Sequence, residues 1–231
     1  RADRFATLRQ YQGLSGFPKK SESPYDIFDS GHASNSLSVA LGLALARDKL
    51  KGTENIVAVI GDGSLTGGMA YEALNQIGHL KPNLVIVLND NEMSINNNVG
   101  AISCYLNRLR LDPYYNHLRD SIENLVKSIP AIGEKMVSLS ETAKAALKQF
   151  LVPRMIFEEL GIKYIGPIDG HNISVVSRVV NLACRLEGPI LVHAVTKKGK
   201  GYEPAEKSPE KFHGTSPFDM QTGQPLKVTT K

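Results

Sequence analysis

The amino-acid sequence predicts an α/β protein built on a doubly wound, mostly parallel sheet flanked by helices. Three observations carry that expectation. The apolar runs Ile56–Ile60 and Leu84–Leu88 are continuous rather than alternating, the pattern of strands buried on both faces. Segments with helical period separate them, and strand, helix and strand recur within about 30 residues, the length of a βαβ unit. At 231 residues, with 42% hydrophobic and 22% charged residues, the chain can bury one sizeable core and falls outside the disordered and fibrous classes.

In chain order, residues 1–30 are polar and turn-rich (Gln12-Gly13, Ser15-Gly16, Phe17-Pro18) and read as a loop lying on a domain. Leu37, Ala40, Leu41, Ala44 and Leu45 keep helical spacing, with Ser34 or Asn35 available as a cap; apolar residues all round this helix predict burial between other elements. The strand Ile56–Ile60 ends in Gly61-Asp62-Gly63, a helix follows at about 66–80, and Leu84–Leu88 forms the next strand. A right-handed crossover sets these two strands side by side and parallel. Residues 92–135 read as an Asn-rich, mobile loop with helical pieces interrupted by Pro113. Helices are expected over 134–151 and 153–160, the second ended by Gly161. A strand at Lys163–Ile165 precedes a turn-like Gly166–Gly170. Then Ile173, Val176, Val179, Val180 and Ala183 define a helix capped by Asn172, before the strand Pro189–Val195.

Composition narrows the function. Lys plus Arg (27) against Asp plus Glu (23) gives +4, and residues 196–231 hold seven lysines against four acids. Such an arm reads either as a solvated tail or as a lure for an anion such as a phosphate ester. Nucleic acid is disfavoured: no basic helix alternates with stacking aromatics, and Trp is absent. Cys104 and Cys184 define neither a metal site nor a disulfide framework and read as buried free thiols in a reducing cytosol. No apolar run approaches the roughly 20 residues of a membrane span, and no signal region follows the Arg-Ala-Asp-Arg start, so a cytoplasmic location is expected. The missing initiator Met suggests a chain that begins mid-protein.

In open α/β sheets, ligands bind beyond the carboxyl ends of the strands. Two such ends carry polar clusters, Gly61-Asp62-Gly63-Ser64 and Asn89-Asp90-Asn91, and Asp62 and Asn91 stand 29 positions apart, one βαβ unit. A carboxylate and an amide oxygen converging beside a glycine turn suit a hard divalent cation. The helix start at Ser64–Gly68 offers N–H groups to an anion. Cation and helix N-terminus together describe a diphosphate site. Competing motifs fail on spacing: Thr66 stands where a dinucleotide fingerprint needs Gly, and no Gly-Lys-Ser/Thr is present. Either cluster alone is an ordinary turn; the pair, each directly after a buried strand, is the specific signal.

Gly61-Asp62-Gly63, 25 residues, then Asn89-Asp90-Asn91 resembles the cofactor motif of transketolase-like thiamine diphosphate enzymes. Asp3–Gln10, Gly13–Phe17, Gly31-His32, Asn89–Ile95, Gly166–His171 and Thr196–Tyr202 resemble the 1-deoxy-D-xylulose 5-phosphate synthase family more narrowly, over nearly the whole chain. The resemblance implies a transferase that condenses pyruvate with D-glyceraldehyde 3-phosphate, with loss of CO₂, using thiamine diphosphate and Mg²⁺. It implies Mg²⁺ ligation by Asp62 and Asn91 side chains and the Met93 carbonyl, and diphosphate contacts from Gly63 and Ser64. Gly31, His32, Ala33, Asn91 and Tyr202 would line the cofactor; His32, Lys198 and His213 would be catalytic.

The resemblance further implies that residues 1–195 form the diphosphate- and Mg-binding domain without its leading segment. Residues 196–231 would be an arm running toward a pyrimidine-binding domain. Alone the chain is expected to be inactive, and the complete enzyme a homodimer with small-molecule substrates and neither nucleic-acid nor membrane partners. Alternatives are another transketolase-like enzyme using the same cation site, or a non-catalytic cofactor-binding module or split subunit. Bland readings stand beside the sharp ones: His32 as a structural histidine, His213 as a tail residue, Lys198 as solvated. Asp169 and His171 form a turn and cap rather than an acid–base pair, and His79, His117 and His193 receive no role.

Overall fold

The computed structural model describes residues 2–93, 99–111 and 156–226. A four-stranded, wholly parallel sheet forms its centre: β1 (Val57–Gly61), β2 (Leu84–Asp90), β3 (Lys163–Asp169) and β4 (Pro189–Val195), in the order β1-β2-β4-β3. The connections β1→β2 and β3→β4 travel in opposite directions along the sheet. Right-handed crossovers therefore put their helices on opposite faces, which is the double winding expected from the sequence.

One face is thickly covered. Helix α1 (Ser36–Lys49) packs on α3 (Gly68–Leu80) and β1, with a single helical turn, α2 (Asp62–Leu65), between β1 and α3. On the same side, α4 (Ala101–Leu111) and the short α5 (Ile156–Glu159) bring Tyr105 edge-on to Phe157, which stacks on Tyr164 of β3. Gly78 is buried in α3 because α5 comes very close: a Cβ there would fall 1.9 Å from the Leu160 carbonyl oxygen. Among the described helices, α6 (Ile173–Ala183) covers the other face, over β2, β3 and β4.

That asymmetry corrects the expectation of full burial for the first strand. In β1, Ala58 and Ile60 are buried, whereas Val57 and Val59 are 42% and 63% exposed. Strand β1 is the edge of the described sheet, and α6 does not reach it. Strand β2, flanked on both sides, is buried nearly throughout. Helix α1 likewise buries one stripe (Leu37, Ala40, Ala44) and leaves Leu43 exposed, and Asn35 does not cap it by a side-chain bond but donates to Ser30 Oγ at 2.6 Å.

Other boundaries also shift. The helix expected over 66–80 begins at Gly68, because Gly67 in extended backbone sets it apart from the preceding turn α2. Strand β3 runs through Gly166-Pro167 to Asp169 instead of turning there. It slips register between Ile165 and Ile168, the kind of irregular edge position at which a proline is tolerated. Helical pieces are expected from Leu106 on, and the helix already starts at Ala101, with Cys104 on it exposed rather than buried; the rest of the expected loop (94–98 and 112–135) and the 134–151 helix lie outside the described residues. Asn172 caps α6 as expected, accepting from Val175 N–H at 3.2 Å. After β4, helix α7 (Glu203–Lys207) and a trio of rings, Tyr202, Phe212 and Phe218, give residues 202–226 local structure of their own.

Candidate active site

The carboxyl ends of β1 and β2 meet as the sequence spacing requires. Gly61 pairs with Asn89, so Asp62 and Asp90 emerge side by side. Asp62 is only 4% exposed and accepts hydrogen bonds from the Gly63 and Asn91 backbone N–H groups, which ties the two strand ends together. Burial, then the charge of Asp90 and a hydrogen bond with it, push the Asp62 carboxyl up to about 6 despite those amides.

Asp90 is as deeply buried and goes the other way. Burial would raise its carboxyl, but the His193 hydrogen bond and charge, together with Arg110, outweigh burial and hold it below the ordinary value. His193 Nε2 donates to Asp90 Oδ2 at 2.9 Å, and Arg110 Nε lies 3.5 Å from the same oxygen. Asp90 Oδ1 accepts from Glu92 N–H at 3.2 Å, and Asn91 Oδ1 accepts from Met93 N–H at 3.0 Å. Residues 90–93 thus form a turn locked by its own side chains, in which Glu92 takes a positive φ of 65°.

This donor set fits a hard divalent cation. Asp62, Asn91 and the Met93 carbonyl offer oxygens alone, and two crowded buried carboxylates are relieved by positive charge. Among the described residues, no three or more His, Cys, Asp and Glu side chains gather into a metal cluster. Gly63 and Ser64 lie in the single turn α2 directly after Asp62.

The remaining expected residues fall into two other places. Gly31, His32 and Ala33 are exposed and line an apolar cavity of about 840 Å³ between α1, β1 and residues 17–33. Asn91, Lys198 and Tyr202 line an open cleft of about 520 Å³ together with Asn89, His171 and Thr196. Thr196 Oγ1 donates to Asn89 Oδ1 at 2.7 Å, and Lys197 N–H donates to His171 Nε2 at 2.7 Å, fixing the arm to the strand ends. Lys198 Nζ and His213 Nδ1 stand 3.0 Å apart. The Tyr202 hydroxyl donates to the Met220 carbonyl at 3.0 Å. Asp169 accepts from His171 N–H at 2.9 Å in the expected turn.

Similarity searches agree with this architecture. The family described as 1-deoxy-D-xylulose-5-phosphate synthase matches residues 1–196. The chain belongs to that family. It is similar to the 1-deoxy-D-xylulose-5-phosphate synthase of Natranaerobius thermophilus, with 57% identity over 231 residues, all of this chain and 37% of the relative. The synthase of Desulforudis audaxviator is 58% identical over 223 residues, covering 96% of this chain and 35% of the relative. The chain therefore spans about a third of the length of these family members. Among solved structures, the transketolase of Campylobacter jejuni superposes with a TM-score of 0.53 at 22% identity, over 81% of this chain and 23% of that one, which shows the shared fold.

Sequence reasoning missed the support behind this synthase-family site. His193, given no role, is wholly buried and joins Asp90 to Tyr164, whose Oη lies 2.7 Å from His193 Nδ1. The available signal was a lone histidine inside an apolar strand, which must find polar partners to be buried.

Proposed function

We propose that this chain carries the diphosphate- and cation-binding part of a thiamine diphosphate-dependent transferase that joins pyruvate to D-glyceraldehyde 3-phosphate with loss of CO₂, forming 1-deoxy-D-xylulose 5-phosphate. The observation that carries the reading is the meeting of Asp62 with the Asn91 turn at adjacent strand ends. In this reading Asp62, Asn91 and the Met93 carbonyl hold Mg²⁺, and Gly63 and Ser64 present backbone N–H groups to the diphosphate. When bound, thiamine diphosphate supplies the carbanion chemistry that a protein side chain cannot. The chain's own part is binding and orientation. Gly31, His32 and Ala33 border the cofactor from the α1 side, and the Tyr202 ring borders it from the arm. Lys198 and His213, in contact with each other, offer positive charge and a proton-carrying group to an anionic substrate. His32 is the other candidate for moving a proton. The division at residue 195, a cytoplasmic location and homodimeric assembly belong to the same proposal and rest on the family resemblance.

Calorimetric titration of thiamine diphosphate with and without Mg²⁺ tests the site. Cation-dependent binding that disappears in Asp62→Ala is the expected result. Binding that ignores both the cation and the substitution would overturn it. Acceptor specificity tests the substrate: product from glyceraldehyde 3-phosphate, rather than from longer sugar phosphates, is expected of the complete protein.

A further inference from the structure

On the face of the sheet that carries α1, α3, α4 and α5, buried polar side chains form a diagonal row among apolar neighbours. Tyr164 on β3 pairs with Leu191 on β4; two residues further along β4 stands His193, which pairs with Leu88 on β2; two residues further along β2 stands Asp90. Because side chains alternate across a strand, these steps of two keep all three groups on one face. Each step also advances toward the carboxyl ends, where Asp62 stands beside Asp90. The row is continuous in hydrogen bonds: Tyr164 Oη to His193 Nδ1 at 2.7 Å, then His193 Nε2 to Asp90 Oδ2 at 2.9 Å.

A carboxylate oxygen only accepts, so Nε2 carries a proton toward Asp90, while Nδ1 meets the Tyr164 hydroxyl, a group that can donate or accept. Tyr164 is itself held by stacking on Phe157 and by its edge against the imidazole. At the other end, Asp90 Oδ1 receives Glu92 N–H, and the Asp90 carbonyl receives Thr196 N–H at 2.8 Å. Asp90 therefore passes an orientation fixed deep in the core to the turn that holds Asn91 and Met93. Strand β3 comes close to His193 at Gly166, where a Cβ would fall 2.9 Å from the His193 Cβ.

We propose that Tyr164, His193 and Asp90 form a buried positioning row that sets the 90–93 turn for divalent-cation binding, so that cation affinity depends on the His193 Nε2–H donor and the Tyr164 hydroxyl. The proposal rests on the cation site at Asp62 and Asn91. None of the three touches the reacting groups; they act through the turn. Groups behind metal ligands typically change affinity by about 10- to 100-fold when removed.

The test measures Mn²⁺ binding by paramagnetic resonance of the free ion, with thiamine diphosphate present, on the purified protein and four variants. His193→Gln can place an amide N–H near the Nε2 position, whereas His193→Asn reaches only as far as Nδ1. Tyr164→Phe keeps the ring and its stacking and removes the hydroxyl alone. Expected is binding within a few-fold of the parent for His193→Gln, and weaker by about 10-fold or more for His193→Asn and several-fold for Tyr164→Phe. Asp62→Ala is expected to abolish binding. A loss that tracked stability alone would weaken both His193 variants equally, with matching falls in melting temperature, and would overturn the positioning role. So would unchanged affinity in both His193→Asn and Tyr164→Phe. If the parent and Asp62→Ala bind Mn²⁺ alike, the cation site itself is wrong, and the row loses its purpose with it.

Discussion

The strand-end cluster and the C-terminal arm both supply expected site residues, but in opposite physical settings. Asp62, Asp90 and His193 are buried among β1, β2 and β4, and each is fixed by several partners. On the arm, His213 is exposed and Lys198 half-buried, and the two stand 3.0 Å apart. A buried polar group is costly unless satisfied, so the cluster is over-determined and a change there spreads into stability as well as binding. A surface group is solvated either way, so its change acts on binding alone. Side chains of the same chemical kind therefore answer mutation differently.

The largest effect is expected at Asp62. Asp62→Ala is expected to weaken cation-dependent cofactor binding by about 100-fold or more, since it removes a direct ligand rather than a group behind one; a loss under a few-fold in calorimetry would equate the cluster with the arm and break the contrast. Next comes the sheet itself. Ile86→Ala in the doubly covered β2 is expected to cost about 2–5 kcal/mol in denaturant unfolding. On the bare face of β1, Val59→Ala is expected to stay within about 0.5 kcal/mol. Equal costs would mean that something covers β1 in solution.

A smaller effect is expected with pH. The Asp62 carboxyl is raised from 3.8 to about 6, so between those values the folded protein holds a proton that the unfolded chain has released. Its stabilising contribution is complete below about pH 4 and is lost as pH rises through about 6. Without metal, the parent is expected to lose melting temperature over that window relative to Asp62→Asn, and Mg²⁺ to restore more at pH 7 than at pH 5. Parallel curves for the two proteins would contradict the raised carboxyl. Smallest of all is Lys198→Ala, expected to leave the melting temperature unchanged while raising KM for a phosphorylated acceptor in the complete protein. A fall in melting temperature there would place Lys198 in the structural framework.

Several elements were legible in the sequence because they rest on local pattern. Leu84–Leu88 and Pro189–Val195 announce buried strands, Asn172 announces a cap, and the interval between Asp62 and Asn91 announces one βαβ unit. Misread elements depend on neighbours far away in the chain. The run Ile56–Ile60 is as apolar as β2, yet one face lies bare because α6 does not extend over it. The Gly166-Pro167 step looks like a turn, yet continues β3 at an irregular edge. The helical pieces read from Leu106 on extend back to Ala101, in a helix whose Leu106 and Leu109 are buried in the core.

The sequence by itself determined the alternation of strand and helix, the family, and the pairing of two polar strand ends, since each follows from spacing along the chain. Only the tertiary structure decided that β4 lies between β2 and β3. That order brings Tyr164, His193 and Asp90, separated by 29 and 103 positions, into one hydrogen-bonded row behind the 90–93 turn. Contacts between strands so far apart in the chain are set by how the sheet closes its core, and no local pattern encodes them.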